Sequence, residues 1–373
     1  MANNKKIRVG ITQGDTNGIG YEVILKTFAN QQMLELCTPV IYGSGKIMTY
    51  HRKAIEMPSF PVNYINAVDA AKDNQTNLVE VCSEEVKVEF GKKDKQAGLA
   101  SYKALEAAVA DLKNEQVDVL VTAPINKDNI QSDEFRFPGH TEYLEASTGT
   151  DDKALMIMCN DKLRVALVTT HMPLAKVPQA ITKENVMEKL RLFNKSLQRD
   201  FGIGKPRIAV LSLNPHGGEN GLLGKEEQEV ITPAINEAYD NDGITCFGPY
   251  ASDGFFGNRQ YEHFDGVLAM YHDQGLAPFK TLAMNDGVNF TAGLPFVRTS
   301  PDHGTGYDIA GKNLADENSF RQAVYAAIDI YRNRLRWDEA YAHPLRRQFF
   351  DHSKDNVVLD LTKDDDDTTA VAK

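Results

Sequence analysis

Three of the nine histidines in this chain of 373 residues stand at or just beyond the ends of short apolar runs: His171 in VTTHMPL, His216 in LNPHGGE and His272 in AMYHDQG. The carboxyl ends of the strands in a parallel sheet share one edge, so three such imidazoles can converge there from distant parts of the sequence. Convergent imidazoles suit Zn, Co, Ni or Mn and leave a coordination position for substrate or water. Asp273 and Asp253 are candidates to orient the rings or to add an oxygen ligand. Against this stands the plainer reading of each histidine as a hydrogen-bonded loop residue, since the set has no HExxH or CxxC spacing.

A second group is cationic and polar: Lys280 in YHDQGLAPFK, a stretch that reads as a turn on its glycine after the apolar run GVLAM, Asn289 in GVNFTAGLP and Arg298 in VRTS. Arginine grips a planar oxyanion with a fork of N–H donors and lysine adds a point charge, so this set fits a phosphate or a carboxylate. Taken singly, each is an ordinary surface ion pair or turn residue. In FPGHTEYLEA, His140 and Thr141 follow Pro138 and Gly139 at the start of a helical pattern. Thr141 there reads as an N-cap, and the helix start would offer backbone N–H groups to an anion. The glycine-rich stretches GDTNGIG and GSGKIM match neither GxGxxG nor GxxxxGK[ST], and GSGKIM reads as an ordinary turn.

The elements that must carry these residues alternate. Apolar runs at 7–12, 39–44, 117–123, 154–159, 163–170, 206–214 and 266–272 read as strands covered on both faces. Amphipathic segments at 96–115, 183–202 and 315–337 read as helices, the second opened by Thr182 and closed by Gly202. The pattern predicts a three-layer α/β/α chain with a largely parallel sheet and about two domains. Net charge is −11 with no basic block, which argues against nucleic acid or an anionic membrane as partner. The four cysteines are scattered without CxxC spacing and read as core residues. No secretory signal and no apolar stretch of roughly 20 residues is present, so the expected location is the cytoplasm. The acidic tail at 353–373 is expected to be disordered.

The stretch SPDHGTGYDIAGK resembles the adenine-side loop of isocitrate and isopropylmalate dehydrogenases, an HGTAPDIAGK-type segment that embraces NAD(P) in a fold without GxGxxG. The series GDTNGIGYE, APINK, PGHTE, THMPL, LNPHGGENGLLGKEE, YHDQGLAPFK and GVNFTAGLPFVRTSPDHGTGYDIAG resembles the 4-hydroxythreonine-4-phosphate dehydrogenase family in order and spacing, over residues 7 to about 340. The departures are Thr16 and Tyr21, where that family has prolines, and Gly306, where HGTA is common.

The resemblance implies an isocitrate/isopropylmalate dehydrogenase-like fold with a cleft between two domains, 1–139 plus 299–352 on the cofactor side and 140–298 on the metal side. It implies a homodimer with NAD or NADP and one divalent ion (Zn, Co, Mg or Mn) held by His171, His216 and His272 with ligands drawn from both subunits. His140, Thr141, Lys280, Asn289 and Arg298 would touch substrate. Lys280, Asp253 and Asp273 would serve catalysis, Lys280 as a desolvated proton acceptor or as a phosphate ligand. His303, Gly304, Thr305 and Asp308 would touch the cofactor.

The implied reaction is metal-assisted oxidation of 4-phosphohydroxy-L-threonine and decarboxylation to 3-amino-2-oxopropyl phosphate, on the way to pyridoxal 5'-phosphate. Threonate or erythronate 4-phosphate and aromatic dihydrodiols stay open as substrates within the family. Outside it, a zinc lyase of aldolase type would also hold an ion with three histidines, and it needs no nicotinamide.

Overall fold

The computed structural model describes residues 6–82, 86–149 and 153–343. Among these, twelve strands form one sheet: β1 (Ile7–Thr12), β2 (Cys37–Gly43), β3 (Val62–Ile65), β4 (Thr76–Glu80), β5 (Val119–Thr122), β6 (Leu155–Cys159), β7 (Arg164–Leu167), β8 (Ile208–Leu211), β9 (Cys246–Tyr250), β10 (Gly266–Ala269), β11 (Val288–Ala292) and β12 (Val297–Pro301). Their spatial order is β3-β4-β2-β1-β5-β12-β11-β6-β7-β10-β8-β9. Helices flank the sheet, as the alternation of apolar runs and amphipathic segments requires.

Two parallel blocks make up the sheet. From β3 to β12 every neighbour is parallel, as it is from β7 to β9. Between the blocks, β11 pairs antiparallel with both β12 and β6, and β6 pairs antiparallel with β7. The blocks therefore run in opposite directions. The expectation of a largely parallel sheet holds within each block, and the antiparallel middle is an addition to it.

The long helices match their patterns. Asp94 caps Lys95–Lys113 by accepting the N–H groups of Gln96 and Ala97, and Thr182 caps Lys183–Arg199 by accepting that of Asn185. The second helix presses Val186, Met187, Leu190, Phe193 and Leu197 into the core, each worth about 1.5–3 kcal/mol of burial.

The stretch YHDQGLAPFK differs from expectation. It is not a turn but the body of a helix, His272–Leu282, despite Gly275 and Pro278 within it. Gly275 is there because the helix lies close on the sheet: a Cβ would come within 2.8 Å of Val165 and 2.9 Å of Leu167. Lys280 therefore sits on the same helix that His272 opens.

Met1–Trp337 groups as one unit, and all twelve strands lie in it; Asp338–Lys373 is the second, opening on the last residues of the helix Asn318–Tyr341. The tail at 353–373 lies outside the described residues. Among the described residues no helix is long and apolar enough to cross a membrane.

Candidate active site

Strands β7 and β10 are parallel neighbours, and their pairing continues past their ends: the N–H of Val168 donates to the carbonyl of Ala269, and that of Thr169 to Met270. His171 and His272 follow on these two segments, with ring centroids 5.9 Å apart. The Nδ1 of His272 lies 2.7 Å from Oδ1 of Asp273, which fixes the ring and leaves Nε2 for another partner. Asp273 itself is largely exposed. Glu142, on the helix His140–Thr148, approaches His171 Nδ1 to 3.9 Å. That imidazole is the main reason the Glu142 carboxyl lies below its usual value.

Buried Gln274 ties the ends of β8 and β10 together, accepting the N–H of Met270 at 2.7 Å and donating to the carbonyl of Ser212 at 2.5 Å. Beyond β8, His216 opens a run of five residues, His216–Asn220, in left-handed backbone, with φ of 53°, 63°, 77°, 44° and 56°. Buried Glu227 braces this loop from below by accepting the N–H groups of Leu213 and Asn214 at 2.8 and 2.7 Å. Thus His171 and His272 are brought together, and His216 leaves a strand of the same parallel block. Within one chain, and among the described residues, no three His, Cys, Asp or Glu side chains are grouped to hold an ion. Asp253 is exposed in the first turn of the short helix Ser252–Gly257 that follows β9.

The cationic and polar group is built around Arg298. It is 2% exposed in β12 and donates to Thr122 Oγ1 from Nη2 at 2.6 Å and to Thr291 Oγ1 from Nη1 at 3.1 Å. Among the described residues no carboxylate lies within ion-pair distance of it. Burial pulls the guanidinium down to about 9, with Glu142 pulling back, so it carries a full charge at neutral pH. Burial, and then the charges of Arg298 and Lys127, hold the His140 imidazole well below its ordinary value and hence neutral.

Two polar atoms here are buried without a partner, His140 Nε2 and Asn289 Oδ1. Such atoms are costly unless a ligand or water meets them. Thr141 lies in the first helical turn, and the cap position is Gly139; the N-cap reading of Thr141 is corrected because the helix begins at His140, two residues earlier than that reading requires. Lys280 is not desolvated: its side chain is 53% exposed and pairs with Asp302 Oδ1 at 2.9 Å, because the end of its helix faces the loop after β12.

In that loop, His303 Nδ1 lies 3.0 Å from the Gly304 carbonyl, while Nε2 is buried with no partner. Burial lowers this imidazole too. The Thr305 carbonyl accepts the N–H of Ile19, and Asp308 is exposed. The residues missed in the sequence are Thr122, Thr291, Glu142 and Asp302, the partners of the charges. Glu142 and Asp302 stand inside motifs already quoted, PGHTE and SPDHG; nothing marks Thr122 or Thr291 before the strands are paired.

A family profile described as pyridoxal phosphate biosynthetic protein PdxA matches residues 35–327. A 4-hydroxythreonine-4-phosphate dehydrogenase from Bacteroides thetaiotaomicron is 58% identical over 362 residues, covering 97% of this chain and 99% of that one. A D-threonate 4-phosphate dehydrogenase from Cupriavidus necator is 39% identical over 325 residues, covering 86% of this chain and 96% of the other. Among solved structures, a 4-hydroxythreonine-4-phosphate dehydrogenase from Klebsiella pneumoniae superposes with a TM-score of 0.76 at 33% identity, over 88% of this chain and 99% of that one.

Proposed function

This chain belongs to the family of the pyridoxal phosphate biosynthetic protein PdxA, and on that premise we propose that it oxidises 4-phosphohydroxy-L-threonine at C3 with NAD and releases its carboxylate as CO2. The product is 3-amino-2-oxopropyl phosphate, for pyridoxal 5'-phosphate synthesis. The observation that carries the substrate class is Arg298, a charged and buried guanidinium whose hydrogen bonds, among the described residues, go to two threonine hydroxyls, with Glu142 acting on it only from beyond ion-pair distance. A buried charge with no carboxylate in ion-pair contact is disfavoured, so the site calls for an anionic ligand.

Beside it, neutral His140 and Asn289 offer their unpartnered atoms to the polar groups of a hydroxy amino acid. Thr141 lies in the same helical turn, and Lys280, steadied by Asp302, adds positive charge toward a phosphate. Exposed and ion-paired with Asp302, Lys280 suits the role of phosphate ligand; the proton-acceptor role rested on desolvation, which it lacks.

The donor set at His171 and His272 fits a divalent ion. Two imidazoles face each other, and one is held by Asp273 in the way metal-bound histidines are held. With His216 these are the expected ligands, drawn from both subunits of a homodimer. Asp253 and Asp273 would line the same cleft. When bound, such an ion supplies Lewis acidity toward the substrate's hydroxyl and carbonyl oxygens. His303, with its free Nε2, and Gly304, Thr305 and Asp308 would meet the dinucleotide, NAD or NADP, which accepts the hydride. The division into a cofactor part (1–139 plus 299–352) and a metal part (140–298) gains support from the opposite directions of the two strand blocks.

Mixing the protein with a divalent metal, NAD and 4-phosphohydroxy-L-threonine should give NADH absorbance and CO2. Faster turnover of D-threonate 4-phosphate would move the chain to that branch of the family, which the 39% relative keeps in view. Cleavage to an aldehyde without NADH would point to a lyase instead.

A further inference from the structure

The GDTNGIG loop has no part in the chemistry above, yet its Asp15 is fully buried and joins three segments. Oδ2 accepts the phenol O–H of Tyr307 at 2.8 Å and the amide N–H of Asn129 at 2.8 Å, and Oδ1 accepts the backbone N–H of Asn17 at 2.9 Å. Asn129 also donates to the carbonyl of Asp94 at 3.0 Å. Four residues on, Ile19 donates its N–H to the Thr305 carbonyl at 2.9 Å, and Gly18 packs so closely that a Cβ would fall 2.6 Å from that same oxygen.

The inner edge of the 303–308 loop is thus bonded to the GDTNGIG loop. At Gly304 the loop is open, with nothing near where a Cβ would stand, while His303 Nε2 is buried and without a partner among the described residues. Burial, reinforced by the charge of Asp15, raises the Tyr307 phenol well above its ordinary value, so it stays a donor.

Tyr307 stands where the HGTAPDIAGK pattern has proline, and Gly306 where it has alanine. A proline restrains a loop through its fixed φ, and a glycine loosens it. Gly306 has a left-handed φ of 55° here. The exchange of Ala-Pro for Gly-Tyr therefore gives up backbone stiffness and replaces it with a side-chain bond to a buried carboxylate.

We propose that Tyr307 and Asp15 are positioning residues for the dinucleotide: their hydrogen bond holds the 303–308 loop in the shape that receives it. This rests on the reading of that loop as the cofactor site, and the test keeps the two apart. In the full-length Tyr307→Phe enzyme, amides of 303–308 should exchange hydrogen faster without ligand. The NAD dissociation constant by calorimetry should rise about tenfold, with kcat at saturating NAD and the KM for the phosphorylated substrate within about twofold. Asp15→Asn, which puts an N–H2 where one oxygen accepted, should move the same readouts in the same direction.

Unchanged exchange with an NAD dissociation constant near wild type would overturn the proposal, as would a loss confined to kcat and melting temperature. Failure of the wild-type enzyme to bind NAD would overturn the cofactor reading and the dinucleotide role with it. The exchange measurement alone then decides whether the bond holds the loop.

Discussion

His171 and His272 face one another with ring centroids 5.9 Å apart, on segments that extend two neighbouring parallel strands. Among the described residues only one nitrogen of His272 is engaged, by Asp273. Replacing His171 or His272 with alanine should abolish stoichiometric binding of Zn or Co, measured by elemental analysis after dialysis. Asp273→Asn keeps the ligand atom and should weaken metal affinity by about 10- to 100-fold. Full metal content in His272→Ala would remove that ring from the site.

Arg298→Lys keeps the charge but loses the fork that reaches Thr122 and Thr291 together. The loss of charge-assisted hydrogen bonds should raise the KM for the phosphorylated substrate by about 10- to 100-fold, with near-ultraviolet circular dichroism unchanged. An unaltered KM would mean that the anion is bound elsewhere.

Gly275→Ala places a methyl against Val165, Leu167 and Ala269. Overpacking of this kind costs about 1–3 kcal/mol, and here it also lifts the helix that carries His272 and Lys280. Urea unfolding should show the stability loss, and metal titration a weaker site. A variant as stable as wild type would show that the helix can move at no cost.

His51 is buried against the Thr16 carbonyl at 2.8 Å, and burial lowers its imidazole from 6.5 to about 4. The unfolded chain takes up a proton that the folded chain refuses, so stability is intact above pH 6.5 and falls as pH drops toward 4. The slope from this group is about 1.4 kcal/mol per pH unit. His51→Gln retains a donor for Thr16 and should flatten the decline between pH 6.5 and 5, followed by denaturant midpoints. Parallel curves for the two proteins would discount the burial argument.

How much of this was readable in the residues depends on what each segment shows to its two faces. Strands β6, β8 and β10 are apolar throughout and β1, β2, β5 and β7 are mostly so, and the alternation with helical patterns placed His171, His216 and His272 after the ends of β7, β8 and β10. The hairpin of β11 and β12 was hidden because one face of it is polar: Asn289, Thr291 and Arg298 interrupt the apolar pattern that marks a strand. Gly275 and Pro278 disguised a helix as a turn, since close packing, not chain reversal, selects the glycine. The threonine hydroxyls on Arg298 come from two strands far apart in sequence, and only the pairing of β5, β12 and β11 makes them neighbours.

The left-handed run His216–Asn220 sets durability against usefulness. His216, Glu219 and Asn220 occupy a backbone region that costs an L residue about 1–2 kcal/mol each, and at position 216 a glycine would rest there with far less strain. The chain would melt at a higher temperature for giving up that ring. With His216 a ligand, as proposed, selection for heat resistance alone would breed a sturdier protein with a poorer grip on its metal, and calorimetry of His216→Gly beside its metal affinity would test that opposition in a single substitution.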